Sequence, residues 1–387
     1  MEPLDIVRLG NSFGVLSVYV DADPREQASR RPAWVVAAEN GLDEIRARVK
    51  ADGDREHWTA LVETLERLEP ELAALLDPRQ PGRGRALFAA IGGEEMRRVT
   101  VQMPLVDRVA LDDRADVIPL LVALDRGRPA GLVVVSQTAV RVLEASLGAV
   151  EELTTIQVEP DASDWREMRG PAAANPALAQ HSAAQRDRFE RRVDDRRSRL
   201  LEGAALELER ERAQRGWDRL VLAGDPRVTQ PFEQVLGTDH VDLAVVDRTL
   251  NSVTAAEVAE ALAPDLEQVN ARREARLVDR ARDAALAGGA GALGLEEVLT
   301  ALEDGRVEHL LFDPGRRYPG ARAPDGRLVP EGVVPAGVAQ DELVPAPSLV
   351  GHLVERALET DASITPLSTA GVEALAEHDG LAACLRW

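Results

Sequence analysis

Gln185-Arg-Asp-Arg-Phe-Glu-Arg-Arg-Val-Asp-Asp-Arg-Arg-Ser-Arg-Leu200, followed by Arg219-Leu-Val-Leu-Ala-Gly-Asp-Pro226, decides how the middle of this chain is read. The first segment is charge-dense without strand-forming runs, and its pattern predicts a helix from about Gln185 to Arg215. Gly216 ends that helix in the position where a left-handed residue is wanted. The second segment is short, apolar and bounded by Gly and Pro, as a buried strand should be. A short helix at Gln230–Leu236 and a strand at Val241–Val246 follow. Before the arginines, Gly131-Leu-Val-Val-Val-Ser136 and Ala139–Ala145 read as a β-hairpin, with a third strand at Leu153–Val158. Between that strand and the helix lies a polar, alanine-rich stretch, 159–184, containing Pro171 and Pro176. A loop of that length inside a compact domain is most often functional or disordered.

Working outward, the first third reads as mixed α/β. Gly14–Val20 is rich in β-branched residues and predicts a strand. Trp34–Lys50 and His57–Leu76 predict helices, the second with Leu61, Leu65, Leu68 and Leu72 on one face. A breaker-dense loop, Asp77–Gly84, leads to a strand pair at Ala86–Ile91 and Arg97–Met103. Downstream, Thr254-Ala-Ala-Glu257 has capping-box spacing and starts a helix to about Leu286, with Pro264 as a kink or fresh start. Gly288–Gly294 breaks the pattern. Then come a helix at Leu295–Leu302, a strand at Val307–Phe312, and a loop-heavy stretch from Arg316 to Val344. A helix near Leu349–Leu358, a strand at Ile364–Leu367, a helix at Val372–His378 and a strand at Leu381–Trp387 close the chain. These elements predict an α/β protein of three domains, at residues 1–127, 128–252 (with the loop 159–184) and 253–387.

Composition narrows the function classes. A formal net charge of −21 argues against indiscriminate coating of nucleic acid, which needs concentrated positive charge. Locally the balance reverses, since seven arginines face four acids between His181 and Leu200. Lys50 is the only lysine, so positive charge is almost entirely guanidinium, suited to forked phosphate contacts. No apolar run approaches the roughly 20 residues of a membrane span. The N-terminal residues lack a signal-peptide pattern, and the single cysteine, Cys384, permits no intrachain disulfide. The expected location is cytoplasmic, with no membrane partner.

Three features in order resemble the bacterial branch of the archaeo-eukaryotic release factor 1 and Pelota superfamily. The hairpin, long loop, Arg-rich helix and Leu220-Val-Leu-Ala-Gly-Asp-Pro226 resemble its ribonuclease H-like central domain. Gly294-Leu-Glu-Glu-Val-Leu-Thr-Ala-Leu-Glu-Asp-Gly-Arg-Val-Glu-His-Leu-Leu-Phe312 resembles a helix-Gly-strand segment of its third domain. Leu375-Ala-Glu-His-Asp-Gly-Leu-Ala-Ala-Cys-Leu-Arg-Trp387 is similar to that domain's closing segment. The resemblance implies a mixed α/β N-terminal domain, a ribonuclease H-like central domain, and a C-terminal domain like the kink-turn-binding ribosomal proteins. It covers residues 128–387; Leu16-Ser-Val-Tyr-Val-Asp21 adds a weaker likeness. The N-terminal third lacks the decoding motifs of the eukaryotic factors, so stop-codon reading is not implied.

One departure outweighs the match. Release factors carry Gly-Gly-Gln at the loop tip, where two glycines allow unusual dihedrals and position a glutamine at the peptidyl-tRNA ester. Here the loop reads Arg169-Gly-Pro-Ala-Ala-Ala-Asn-Pro-Ala-Leu-Ala-Gln-His-Ser-Ala-Ala-Gln-Arg186. Gln180 and Gln185, the candidates for a catalytic role, follow no glycine pair. Pelota-like members also lack the tripeptide and bind stalled or vacant ribosomes, and some bacterial members act in hibernation. The resemblance therefore implies a stress, hibernation or rescue factor that occupies the ribosomal A site by binding. Its expected partners are rRNA, with tRNA and an EF-Tu-type GTPase by family analogy. The competing expectations are a peptidyl-tRNA hydrolase with a divergent loop, and an acidic stress-response interaction protein that never meets the ribosome.

The candidate RNA-binding residues are Arg186, Arg188, Arg192, Arg196 and Arg199, the last four forming one helical stripe. The competing reading is a solvated helix laced with ion pairs to Asp187, Glu190, Asp194 and Asp195. Gly289-Ala-Gly-Ala-Leu-Gly294 matches a dinucleotide fingerprint in spacing alone, because a helix rather than a strand is expected before it. A Walker loop is excluded, since no glycine run precedes Lys50. The six histidines never fall at i, i+4 and there is no cysteine pair, so neither a metal nor a cofactor is expected.

Overall fold

The computed structural model describes residues 3–10, 12–26, 31–157, 178–237 and 241–387, with helix backbone alone for Pro3 and residues 178–194. Among the described residues the fold is α/β, with four sheets distributed over three domains.

The N-terminal sheet has the order β3-β2-β1-β4, from Met96–Val101, Gly84–Ala90, Val15–Asp21 and Arg108–Asp112, all antiparallel. Helices Ala33–Ala51, Arg55–Arg67 and Glu69–Leu76 cover one face. There Leu16, Val18 and Val20 meet Trp34, Leu42, Leu61 and Leu65 in one apolar core. The opposite side of β1 carries Ser17 and Tyr19, both buried. Their hydroxyls are satisfied by the Asp116 backbone: Tyr19 donates to its carbonyl (2.6 Å) and Ser17 accepts from its amide (3.0 Å). The helix predicted over His57–Leu76 is two helices, broken at Leu68, with Pro70 in the first turn of the second, where a missing N–H costs nothing. Strand β4 and the helix Ile118–Arg126 carry little sequence signal. The strand is a five-residue edge with charged ends, and the helix opens on Pro119 without a side-chain cap.

The central domain is a five-stranded sheet of order β7-β6-β5-β8-β9. Its strands are Ala149–Gln157, Ala139–Ser146, Ala130–Val135, Arg219–Gly224 and Asp242–Asp247. The first three in sequence form an antiparallel meander, and β8 and β9 run parallel to β5. That is the ribonuclease H arrangement. The third strand starts four residues earlier than its pattern suggests, across a tight turn with Leu147 and Gly148 at φ of 48° and 80°. Helices Leu178–Arg215 and Pro226–Val235 pack on one face. Helix Ala255–Leu286 covers the other through Val258, Leu262 and Val269. Its capping box is formed, Thr254 N–H donating to Glu257 (2.7 Å) and Glu257 N–H donating to the threonine hydroxyl (3.3 Å).

The C-terminal domain has a mixed sheet of order β10-β16-β11-β15, from Gly291–Leu293, Leu381–Leu385, Val307–Phe312 and Ser363–Pro366. Helices Gly294–Glu303, Val350–Glu359 and Thr369–Ala374 accompany it. Cys384 is buried with Val278, Ala281, Leu311 and Leu375. The stretch predicted to be loop from Arg316 to Val344 contains an antiparallel sheet, β13-β12-β14, from Leu328–Pro330, Gly320–Arg322 and Val344–Ala346. Three-residue strands carrying Pro330 and Pro345 are too short to show period-2 alternation.

By packing, the chain divides into two compact units: residues 129–272, and residues 1–128 with 273–387. The division falls inside helix Ala255–Leu286. Among the described residues no helix is long and apolar enough to cross a membrane.

Candidate functional site

The sequence directs attention to the arginine-rich helix and the sheet that holds it. Helix backbone is described from Leu178, seven residues before the expected Gln185. The segment Leu178–Ala184 contains three alanines, the best helix former. Gln180 and Gln185 thus both sit on helix backbone; their side chains, with those of Arg186, Arg188 and Arg192, lie outside the described residues. Residues 158–177 also lie outside them.

The described half of the helix has two faces. Leu200, Leu201, Ala204, Ala205 and Leu208 are buried against Val133, Val135, Val140 and Val142 of the sheet, with Trp217 and Phe232 beside them. A helix buried along one stripe leaves its opposite rows to solvent. Arg199 stands on such a row, exposed, with Nε donating to the Asp195 carbonyl of its own helix (3.2 Å). Arg196, beside it, is half-buried and has an interaction partner. So the candidates Arg196 and Arg199 differ in setting although they are neighbours in the stripe.

Further along, the arginines are engaged structurally. Arg210 pairs with Glu207 (3.2 Å) and Arg212 with Glu209 (2.7 Å), both one turn back. Arg215 pairs with Glu211 (2.7 Å) and with Glu144 of β6 (3.2 Å). Glu144 also accepts from the Trp217 indole (2.8 Å), so one carboxylate fastens the end of the helix to the sheet. Gly216 makes the intervening turn at φ 68°.

Two other arginines tie the sheet to its surroundings. Arg141 of β6 grips Glu152 of β7 with two bonds (3.1 and 2.7 Å) and donates to the carbonyls of Leu250 and Val253. The Arg141 hydrogen bond, helped by Thr155, holds the Glu152 carboxyl below the usual range. Arg219 is fully buried in β8 and bonds Asn270 of the long helix. Sequence pattern shows none of these, because the partners are distant in the chain.

At the carboxyl end of β8, Gly224 packs so closely on β5 that a Cβ would lie 2.3 Å from the Val135 carbonyl oxygen. Asp225 then caps the following helix, accepting from Arg227 N–H (2.8 Å). Leu220-Val-Leu-Ala-Gly-Asp-Pro226 is therefore a strand, a close approach and a cap. The glycines Gly288–Gly294 likewise serve packing. Gly288 ends the preceding helix at φ 66°, and a Cβ on Gly291 would lie 2.4 Å from the Ala281 carbonyl oxygen. A helix precedes this glycine-rich run, and β10 lies inside it, contrary to a dinucleotide fingerprint.

Residues 129–263 match the family described as bacterial archaeo-eukaryotic release factor family 5. The chain is 21% identical over 236 residues to the uncharacterized protein YocB of Bacillus subtilis (strain 168), covering 60% of this chain and 86% of YocB. Among solved structures it is similar to the archaeal translation termination factor aRF1, at 18% identity over 99% of this chain and 95% of that one, TM-score 0.23. It is also similar to archaeal Pelota from a model of ribosome-bound Pelota and ABCE1, at 16% identity, 79% and 77% coverage and TM-score 0.41. The match to the bacterial archaeo-eukaryotic release factor family thus rests on the central domain, in a chain whose sequence contains no Gly-Gly-Gln.

Proposed function

We propose that this protein is a ribosome-associated translation factor that occupies the A site in stress, hibernation or rescue, and acts by binding rather than by hydrolysis. The observation that carries the reading is a release-factor-family central domain in a chain that contains no Gly-Gly-Gln. In release factors that tripeptide supplies the backbone freedom that brings a glutamine to the peptidyl-tRNA ester. Gln180 and Gln185 stand instead on helix backbone, where each residue's dihedrals are fixed. A hydrolytic role for either would need a local unwinding that no glycine pair facilitates.

In this reading Arg186, Arg188, Arg192, Arg196 and Arg199 contact rRNA phosphates. Guanidinium is the better phosphate ligand, and each contact adds salt-dependent affinity. The acidic remainder of the chain discourages binding elsewhere on RNA, so the arginine row also serves selectivity.

Sedimentation of the purified protein with ribosomes at physiological salt tests the proposal. Co-sedimentation is expected, weakening steeply with salt. Replacing the five arginines by glutamine should flatten that salt dependence. Absence from the ribosomal fraction, with and without translation stress, would overturn the reading and favour a non-ribosomal acidic interaction protein. A release assay on stalled peptidyl-tRNA separates the hydrolytic alternative. Peptide release that disappears in the Gln180→Ala, Gln185→Ala double variant would establish hydrolysis in place of passive occupancy.

A further inference from the structure

Away from the central domain, residues distant in sequence surround a cleft of about 330 Å³ in the larger unit. Arg8, Asp113 and Arg114 come from the N-terminal region; Arg322, His352 and Glu355 come from the C-terminal one. Three guanidinium groups against two carboxylates is the reverse of the balance in the chain as a whole. Two of the cations are engaged. Arg114 pairs with Glu355 at 2.6 Å and Arg8 reaches Glu359 at 3.4 Å. The Arg322 guanidinium, at the exposed end of β12, has no hydrogen bond or ion pair among the described residues.

His352 lines the same cleft and is only 8% exposed, with an Nδ1 that is buried and has no hydrogen-bond partner among the described residues. A buried polar group without a partner is costly and calls for an explanation. Around this imidazole stand Arg114, Arg322 and Arg356 on the cationic side and Asp113 on the anionic side. Burial, reinforced by those arginines, holds its pKa down to about 4, so the ring is neutral at physiological pH. A neutral imidazole donates one hydrogen bond.

We propose that this cleft binds a phosphate group, with Arg322 and Arg114 as its cationic contacts and His352 at its wall. An unpaired guanidinium beside two further arginines calls for an anionic ligand, and phosphate oxygens match a forked guanidinium. The volume is at the low end for small-molecule sites, which favours a phosphate on a small organic body. The site is independent of the arginine-rich helix and of the ribosomal reading.

The imidazole provides its own reporter. A bound dianion should reverse the depression imposed by the arginines and raise the His352 pKa. The experiment follows the His352 ring by NMR in the full chain while inorganic phosphate, a nucleoside monophosphate or a short RNA is added, with chloride at equal ionic strength as the control. The expected result is a saturable upward shift of about one pH unit with a phosphate probe, absent with chloride and lost in Arg322→Gln. Arg322→Lys, which keeps the charge but not the fork, should retain weakened binding. The probe that saturates first identifies the source of the phosphate, soluble or polymeric. A His352 titration unmoved by all three probes, or moved equally in Arg322→Gln, would overturn the proposal.

Discussion

The central unit and the larger unit hold themselves together in different ways. In the central unit a contiguous stretch of chain wraps one sheet, and both sheet faces are closed by apolar side chains, Phe232 and Trp217 on one side and Val258 and Leu262 on the other. The larger unit joins two stretches that lie far apart in sequence, and much of its seam is polar. Asp125 accepts from Arg273 (3.2 Å) and from Thr365 (3.0 Å), and Thr365 meets His309 (2.9 Å). Arg114–Glu355, and at the surface Arg8–Glu359, join the same two stretches. Apolar burial tolerates imperfect geometry, whereas a buried polar seam is strong only when every member is satisfied. The first kind of cohesion should fail through lost volume and the second through a lost partner.

The largest effect is expected at Phe232, which is fully buried in the central core. Phe232→Ala should cost about 3–5 kcal/mol, read by denaturant unfolding, with loss of amide protection confined first to residues 129–272. Equal loss of protection across both units would break the contrast. Next comes Asp125→Ala, which removes one carboxylate partner of the largely buried Arg273 and an acceptor of Thr365. Removing one partner of a buried pair costs about 3 kcal/mol or more, and here it should open the seam rather than the central sheet.

A pH effect follows at His352. Its folded pKa, about 4, lies below the ordinary histidine value, so the unfolded chain binds the extra proton as pH falls. Stability should decline from about pH 6.5 toward pH 4, by at most roughly 1.4 kcal/mol per pH unit from this group. The difference between wild type and His352→Gln, followed from pH 7.5 to 5.5, isolates that contribution; parallel curves would remove it. The smallest effect is expected at the capping box, where Thr254→Ala should cost about 1 kcal/mol and fray the start of the helix covering the central sheet. Circular dichroism with hydrogen exchange on residues 254–258 checks it.

The contrast also explains what could be read in advance. Strand β8, the hairpin β5–β6 and the capping box at Thr254 were legible because their signals are local: an apolar run, a tight turn, a four-residue cap. The sheet β12–β14 was hidden by its three-residue strands. The break at Leu68 was hidden because the leucine periodicity continues across it. Of the candidate site residues, Arg196 and Arg199 share a stripe by spacing, yet only coordinates separate the half-buried one from the exposed one. The pairing of Arg215 and Trp217 with Glu144, and the gathering of Arg8, Arg114, Arg322 and His352, depend on tertiary contacts that no spacing encodes.

Helix Ala255–Leu286 lends apolar positions to two separate cores, Val258, Leu262 and Val269 to one and Val278 and Ala281 to the other. A residue gained or lost within either set would turn the positions beyond it by about 100° away from their core. Loops can change length freely in evolution, but these two spans cannot, so relatives that keep both cores should preserve the residue count from Val258 to Val269 and from Val278 to Ala281 even where no side chain is shared.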